Sequence, residues 1–318
     1  MEVIIANYDW AGLTEDTSVA LGYFDGCHKG HQEVLKETLK IAKENNTRPV
    51  VLTFDSHPCE FLFPERAPEQ LLESSDKALY LGKEGFDKLI LLHVTSELLT
   101  LSAEEFFQWM LTKLLPKALI SGSNYTFGAH KKGTPELLKL WSEKKNILVQ
   151  TAQDIEVDDS LVSSSRIRTL LKSGEVGEAR ELLGRYYHLN GIVVTGDGRG
   201  RTLGYPTANL SVKEQMLYPE NGVYGTKIRI DGKWYEGATS VGTNPSFPGT
   251  RLRRVEVNVL DFSGDLYGKE VRVAFCQRLR RELTFSSRDD LIIHLHKDVA
   301  ETREQLRADF DASFLPEW

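Results

Sequence analysis

The sequence predicts two domains of different class: an α/β half built on a mostly parallel sheet, then a β half that closes as an antiparallel barrel and ends in a helix. Three observations carry this. The length of 318 residues suits two domains of roughly 150 residues, each able to bury its own core. Up to about residue 184, short apolar runs alternate with helical periodicity. From His188 onward the runs are β-rich and separated by turn residues.

In the first half the apolar runs are 3–6, 19–24, 49–54, 89–94, 119–121 and 147–150, and helical patterns occupy 31–45, 76–86, 102–115 and 135–144. This alternation predicts β-α-β units with helices on both faces of the sheet. Ligands on such sheets bind beyond the carboxyl ends of the strands. Two short helices are predicted at 165–172 and 176–183, the first ended by Ser173-Gly174. The β-rich runs are 189–194, 222–230, 233–241, 255–262 and 270–279, with turn signals at Asp231-Gly232, Asn244-Pro245 and Ser263-Gly264-Asp265. Over 287–311, Leu291, Leu295 and Val299 recur at helical spacing, which predicts a helix packed on the barrel. The boundary falls near Gly184 to Tyr187, giving domains 1–184 and 185–318.

A content of 41% hydrophobic and 27% charged residues is that of an ordinary globular protein, and no apolar run approaches the roughly 18 residues of a spanning helix. Glu2 and the lack of a basic flank argue against a signal peptide, so a cytoplasmic protein without membrane contact is expected. Cys27, Cys59 and Cys276 are far apart and lack C-x-x-C spacing, which argues against a disulfide framework or zinc site. A net charge of −7 argues against nucleic acid as a partner, and the cluster Arg251, Arg253 and Arg254 reads as a loop.

The run Gly22-Tyr23-Phe24-Asp25-Gly26-Cys27-His28-Lys29-Gly30-His31 follows an apolar strand and enters a helix. Its glycines permit a sharp turn and close approach to phosphates, and the helix start offers unpaired N–H groups. His28 and His31, three apart, can face one point and donate to charge developing on phosphorus. A metal is the rival ligand, with only two imidazoles to hold it. Ser163 and Ser164 at a helix start with Arg168 one turn on suit either an anion site or an ordinary cap with a solvated arginine.

The first run, with Gln32, resembles the H-x-G-H signature of the nucleotidyltransferase superfamily, and its bacterial flavin-adenylylating branch in particular. Thr53-Phe54-Asp55-Ser56-His57-Pro58, Ser123-Asn124-Tyr125-Thr126-Phe127-Gly128 and Val162-Ser163-Ser164-Ser165-Arg166-Ile167-Arg168 are similar to further motifs of that branch. The resemblance implies a Rossmann-like nucleotidyltransferase domain. Gly22, Phe24, Asp25, Gly26, His28, His31, Ser163, Ser164 and Arg168 would bind ATP, with His28 and His31 catalytic. Phe54, His57, Pro58 and Asn124 would border the flavin. Ser165 stands where Thr is usual and Cys27 where Val is common. The stretch Ala129 to Gly133 lacks the family's arginine, leaving His130 or Lys131 as its replacement.

In the second half, Gly196-Asp197-Gly198-Arg199-Gly200-Arg201 suits a phosphate cradle or, equally, a hairpin loop, and it is not a Walker loop. In Pro206-Thr207-Ala208-Asn209 a hydroxyl and an amide oxygen two residues apart on an extended chain point the same way and suit a hard cation such as Mg²⁺ with a nucleotide. These residues, Gly222-Val223-Tyr224, Glu256, and Asp265 through Glu282 resemble the riboflavin kinase family. The resemblance implies ATP at Gly196, Gly198, Gly200, Arg201, Pro206, Thr207 and Asn209, and Mg²⁺ on Thr207 and Asn209. It makes Glu256 the general base, with Glu256, Arg280 and Glu282 at the flavin. Asn244-Pro245-Ser246 departs from the usual Arg-Pro-Thr.

Both motif sets together resemble the bacterial bifunctional riboflavin kinase and FMN adenylyltransferase (FAD synthetase) family. The expectation is a transferase that makes FMN and then FAD from riboflavin and ATP. Two alternatives stand: a kinase with a weakened transferase, or a non-catalytic flavin or nucleotide sensor.

Overall fold

The computed structural model describes residues 1–196, 203–243 and 253–316. The chain forms two compact units, residues 1–164 and residues 165 onward. The first contains β1 (Glu2–Ala6), β2 (Thr17–Leu21), α1 (Lys29–Asn45), β3 (Arg48–Phe54), α2 (Pro58–Leu62), α3 (Ser74–Glu84), β4 (Lys88–Leu92), α4 (Ser96–Thr100), α5 (Ala103–Leu114), β5 (Pro116–Ser121), α6 (Pro135–Glu143) and β6 (Leu148–Thr151), then the two-residue pair β7 (Glu156–Val157) and β8 (Ser160–Leu161).

Strands β1 to β6 make one parallel sheet in the order β1-β4-β3-β2-β5-β6. Alternate residues of each central strand enter opposite cores. Val19, Leu21, Val50, Leu52, Ile90 and Leu92 pack with Phe106, Phe107 and Met110 of α5. Ala20, Val51, Leu89 and Leu91 pack with Val34, Leu35 and Ile41 of α1 and with Leu81 of α3. Burial on both faces is why these strands read as continuous apolar runs. In α1 the buried residues Val34, Leu35, Thr38, Ile41 and Ala42 form one stripe, and the helix ends where Asn46 turns left-handed.

Register sets the site. Leu21 aligns with Leu52 and with Ser121, and Phe54 aligns with Leu92. The segments leaving β2, β3 and β5 therefore emerge side by side. The chain order reverses between β2 and β5, the switch point at which ligands bind on such sheets.

Strand β2 ends at Leu21 instead of reaching Phe24, because the chain turns there and Phe24 sits at φ 53. Helices α2 and α4 were outside the sequence expectation: five residues are too few to show periodicity, and each is marked only by a cap, His57 or Thr95.

The second unit holds α7 (Ser164–Ser173), α8 (Val176–Leu183), β9 (Tyr187–Val194), β10 (Ala208–Ser211), β11 (Gly222–Ile230), β12 (Lys233–Thr243), β13 (Arg253–Val259), β14 (Glu270–Arg281) and α9 (Arg288–Ala308). The six strands close in the order β10-β13-β12-β11-β14-β9, every pairing antiparallel. Inside, the Thr226 hydroxyl donates to the Gly237 carbonyl at 2.9 Å and meets Thr239 at 2.7 Å, so these buried polar groups are satisfied. Cys276 is buried too, and burial pushes its thiol up to about 12, which makes it unreactive. Cys27 and Cys59 are likewise free of disulfides.

The division falls at 164/165, whereas the change of sequence rhythm lies near 184. Helices carry the difference. Val176, Ala179, Leu182 and Leu183 of α8 are buried, and α8 packs on β14 and β9. Arg278 of β14 donates to the Ser173 carbonyl at 2.9 Å, and the Glu220 N–H donates to Leu171 at 2.9 Å.

Candidate active sites

In the first unit, residues 22–28 cross the switch point in an unusual conformation: Phe24 has φ 53, Gly26 φ 81 and Cys27 φ 39. Glycine takes such angles freely, but Phe24 and Cys27 do so only when surrounding contacts hold them. The Tyr23 carbonyl accepts from the Thr53 hydroxyl at 2.9 Å and from the Lys77 ammonium at 2.8 Å. Asp25 Oδ1 accepts the Leu71 N–H at 2.9 Å, and its carbonyl accepts the Ser164 hydroxyl at 3.0 Å. The Gln32 amide donates to the Cys27 carbonyl at 3.0 Å. Phe24, Asp25 and Cys27 are all buried, so their side chains brace the loop from inside.

His28 is buried and caps α1, its Nδ1 accepting the His31 N–H at 3.3 Å. A ring nitrogen that accepts carries no proton, so in the neutral ring Nε2 holds the proton and is the donor. The rings of His28 and His31 stack at 3.6 Å between centroids, inclined by 17°. Phe24 meets His31 edge-on at 5.3 Å. Gly22 and Gly30 have negative φ, and both are tightly surrounded: a Cβ would stand 3.0 Å from the Phe24 ring at Gly22 and 3.3 Å from the His28 ring at Gly30, so in each case that ring would have to give way. The result is two imidazoles at a helix N-terminus, an arrangement able to bind an anion and donate to charge that grows in a transition state.

Neighbouring segments enclose the same strand edge. His57 caps α2, accepting the Cys59 N–H at 3.1 Å, while Glu60 reaches back to the His57 N–H at 3.3 Å and Pro58 takes the first helical position. The Tyr23 ring meets His57 edge-on at 4.8 Å. Phe54 is half-buried against the α5 core, and Asp55 pairs with His93 at 2.5 Å. Asn124 is exposed in the turn after β5, closed by the Tyr125 N–H on the Gly122 carbonyl at 3.2 Å. Gly128, at φ 71, admits no side chain, since a Cβ would stand 2.5 Å from the Ala103 backbone. His130 and Lys131 are exposed, at φ 55 and 57. Ser163 is half-buried beside Ser164, and Arg168 is half-buried on α7 in the second unit.

In the barrel, Ala208 and Leu210 are buried while Thr207 and Asn209 are half-exposed, the alternation of a strand with one wet face. Asn209 pairs with Glu256 across β10 and β13, and Glu256 pairs with Ser240 of β12. Directly paired residues point the same way, so Asn209 and Glu256 share the outer face. A Cβ on Gly196 would stand 2.2 Å from Asn209 Nδ2, so only glycine leaves room for that amide. A Cβ on Gly242 would likewise stand 2.8 Å from Glu282 Oε1, and Gly242 lies on the same face two residues beyond Ser240. Pro206 is fixed by the Asn258 amide, which donates to its carbonyl at 2.8 Å. A groove of about 410 Å³ runs beside it, with Leu260, Phe262 and Val299 in its walls.

Arg280, expected at the flavin, forms a two-pronged pair with buried Asp298 of α9, both contacts 2.7 Å. Gly198, Gly200, Arg201 and the stretch Asn244 to Ser246 lie outside the described residues. No group of three or more His, Cys, Asp or Glu side chains suited to a metal occurs among the described residues.

Comparison with known proteins matches two families in succession along the chain. A FAD synthetase family model matches residues 12–166, and a riboflavin kinase model matches residues 183–306. The bifunctional riboflavin kinase/FMN adenylyltransferase of Listeria monocytogenes is 35% identical over 94% of this chain and 95% of its own length. The chain belongs to the bifunctional riboflavin kinase/FMN adenylyltransferase family. The Bacillus subtilis member is 33% identical, covering 89% of this chain and 90% of its own. Among solved structures, one described as a macrolide-efflux protein from Streptococcus pneumoniae superposes with a TM-score of 0.87 at 37% identity, over 95% of this chain and 99% of that one. It shares both units of this family's fold. No described helix here is long and apolar enough to cross a membrane.

Proposed function

We propose that the barrel unit transfers the γ-phosphoryl group of ATP to riboflavin, giving FMN, and that the α/β unit then joins FMN to the AMP part of a second ATP. The observation that carries the reading is that each unit holds its own reactive constellation: the stacked His28–His31 pair at a helix start, and the Asn209–Glu256 pair on the barrel's outer face.

In the first step Glu256 takes the proton of the riboflavin 5′-hydroxyl, the oxygen bonds to the γ-phosphorus, and ADP leaves. The donor set at Thr207 and Asn209, neutral oxygens with glycine clearance at Gly196, fits a hard cation whose negative partners are the phosphates. Mg²⁺ held there would neutralise charge on the transferring phosphoryl group. The groove beside Pro206 gives the nucleotide an apolar wall. Glu282, for which Gly242 leaves clearance, would border the flavin, and Arg280 would act through its pair with Asp298.

In the second step an FMN phosphate oxygen attacks the α-phosphorus of ATP and pyrophosphate leaves. His28 Nε2–H and the His31 ring donate to the charge on the α-phosphate, and His57 and Asn124 border the flavin. Ser163 through its hydroxyl and Ser164 through its backbone N–H hold the triphosphate, while the Ser164 hydroxyl stays on the Asp25 carbonyl. The partners are small molecules, neither nucleic acid nor membrane, and three cysteines outside any disulfide suit a cytoplasmic location.

Incubation with riboflavin, ATP and Mg²⁺, followed by chromatographic separation of the flavins, tests the reading. FAD is the expected product. FMN alone would leave a kinase with an idle first unit, and flavin binding without ATP consumption would mark a sensor.

A further inference from the structure

Lys77 stands on α3, whose sequence Ser74 to Glu84 has the look of an ordinary charged surface helix. Instead Lys77 is 3% exposed. Its ammonium donates to the Tyr23 carbonyl at 2.8 Å and lies 4.6 Å from the centre of the Tyr23 ring. Burial pulls the Lys77 pKa down, and the nearby Cys27 and Asp25 oppose that pull. Keeping a lysine here is costly unless its position does something. What it grips is informative. The Tyr23 carbonyl, also held by Thr53, belongs to the peptide immediately before Phe24, the first residue of the loop's left-handed stretch. That stretch ends on His28, which caps α1 and stacks on His31.

We propose that Lys77 is a positioning residue for adenylyl transfer: by fixing the Tyr23–Phe24 peptide, it sets the loop on which His28 and His31 meet the α-phosphate. This rests on the reading of the first unit given above. Thr53 fixes the same carbonyl from β3, so the loop is pinned from the sheet and from α3 together. A lost pin lets the imidazoles drift, and a displacement of about 1 Å at a reacting centre costs on the order of 10²-fold in rate. Because Lys77 holds a backbone carbonyl of the loop rather than ATP itself, the loss falls on kcat more than on KM for ATP.

The test uses the full chain, assayed for FAD formation from FMN and ATP and, in the same preparation, for riboflavin phosphorylation. Lys77→Met is expected to lower kcat for FAD formation roughly 10²-fold with KM for ATP near its wild-type value and phosphorylation unchanged. Lys77→Arg, which keeps the charged donor, is expected to recover most of the loss. Wild-type kcat in folded Lys77→Met, or an equal loss in Lys77→Arg, overturns the proposal. Should Lys77→Met not fold, Thr53→Val decides: it removes the other donor to the same carbonyl, so a reduced kcat supports the proposal and an unchanged kcat overturns it. Wild-type protein that makes no FAD from FMN would instead overturn the reading of the site itself.

Discussion

Replacing His28 by alanine is expected to slow FAD formation from FMN and ATP by about 10²–10³-fold, the usual cost of losing one preorganised donor to transition-state charge. Two effects are folded into that variant. His28 is also the cap of α1, and loss of a cap costs about 1 kcal/mol of stability. His28→Asn separates them, because asparagine caps well yet lacks the stacked ring that presents Nε2–H. The account predicts a His28→Asn protein with near wild-type unfolding temperature and strongly reduced FAD formation. Phosphorylation of riboflavin, assayed on the same samples, should be unchanged in both variants. FAD formation at the wild-type rate in His28→Ala would remove the histidine pair from the mechanism.

The second large effect is expected at Glu256. Glu256→Gln keeps the shape of the side chain and its place opposite Asn209 but cannot take the riboflavin hydroxyl proton. Loss of a general base costs typically 10²–10⁴-fold, so FMN formation should fall by that order while FAD formation from supplied FMN continues. The neighbouring valines explain why the substitution leaves the barrel intact: Val255 and Val257 carry the core contacts, and residue 256 points outward. Full kinase activity in Glu256→Gln would show that Glu256 is only a solvated charge on an alternating strand.

Much of the fold was legible because its causes are local. Strands β2 to β5 lie between two layers of helices, so their residues are apolar on both faces and stand out as runs. The β-α-β rhythm places the glycines and histidines of residues 22–31 beyond the carboxyl end of a strand, while the reversal of order between β2 and β5 is set by strand pairing and was not legible. Elements set by tertiary contact were harder. Strand β10 is four residues long, too short for its alternation to stand out as a run, and its extent is set by pairing with β9 and β13. Helices α7 and α8 fall in the barrel unit because α8 buries its apolar stripe on β14 and β9, which no change of sequence rhythm announces.

The sites divide in the same way. Groups that meet within a few residues, such as His28 and His31, were visible from spacing. Groups that meet across the chain were not. Lys77 is 54 positions from the carbonyl it holds, and Arg280, expected at the flavin, closes on Asp298 of α9, 18 positions later. Phe24 and Asp25 were assigned to ATP as motif residues, but the fold turns both inward, where they hold the loop's shape.

The central claim is that one chain carries two distinct transfers, one on each unit. Following the phosphorus of ATP tests this most directly. Riboflavin is incubated with the full chain and with ATP labelled either at the γ-phosphorus or at the α-phosphorus, and the flavins are separated. The account predicts γ-label in FMN and in the FMN half of FAD, and α-label in FAD alone, in its AMP half. The absence of γ-label from FMN, or of α-label from FAD, would contradict it.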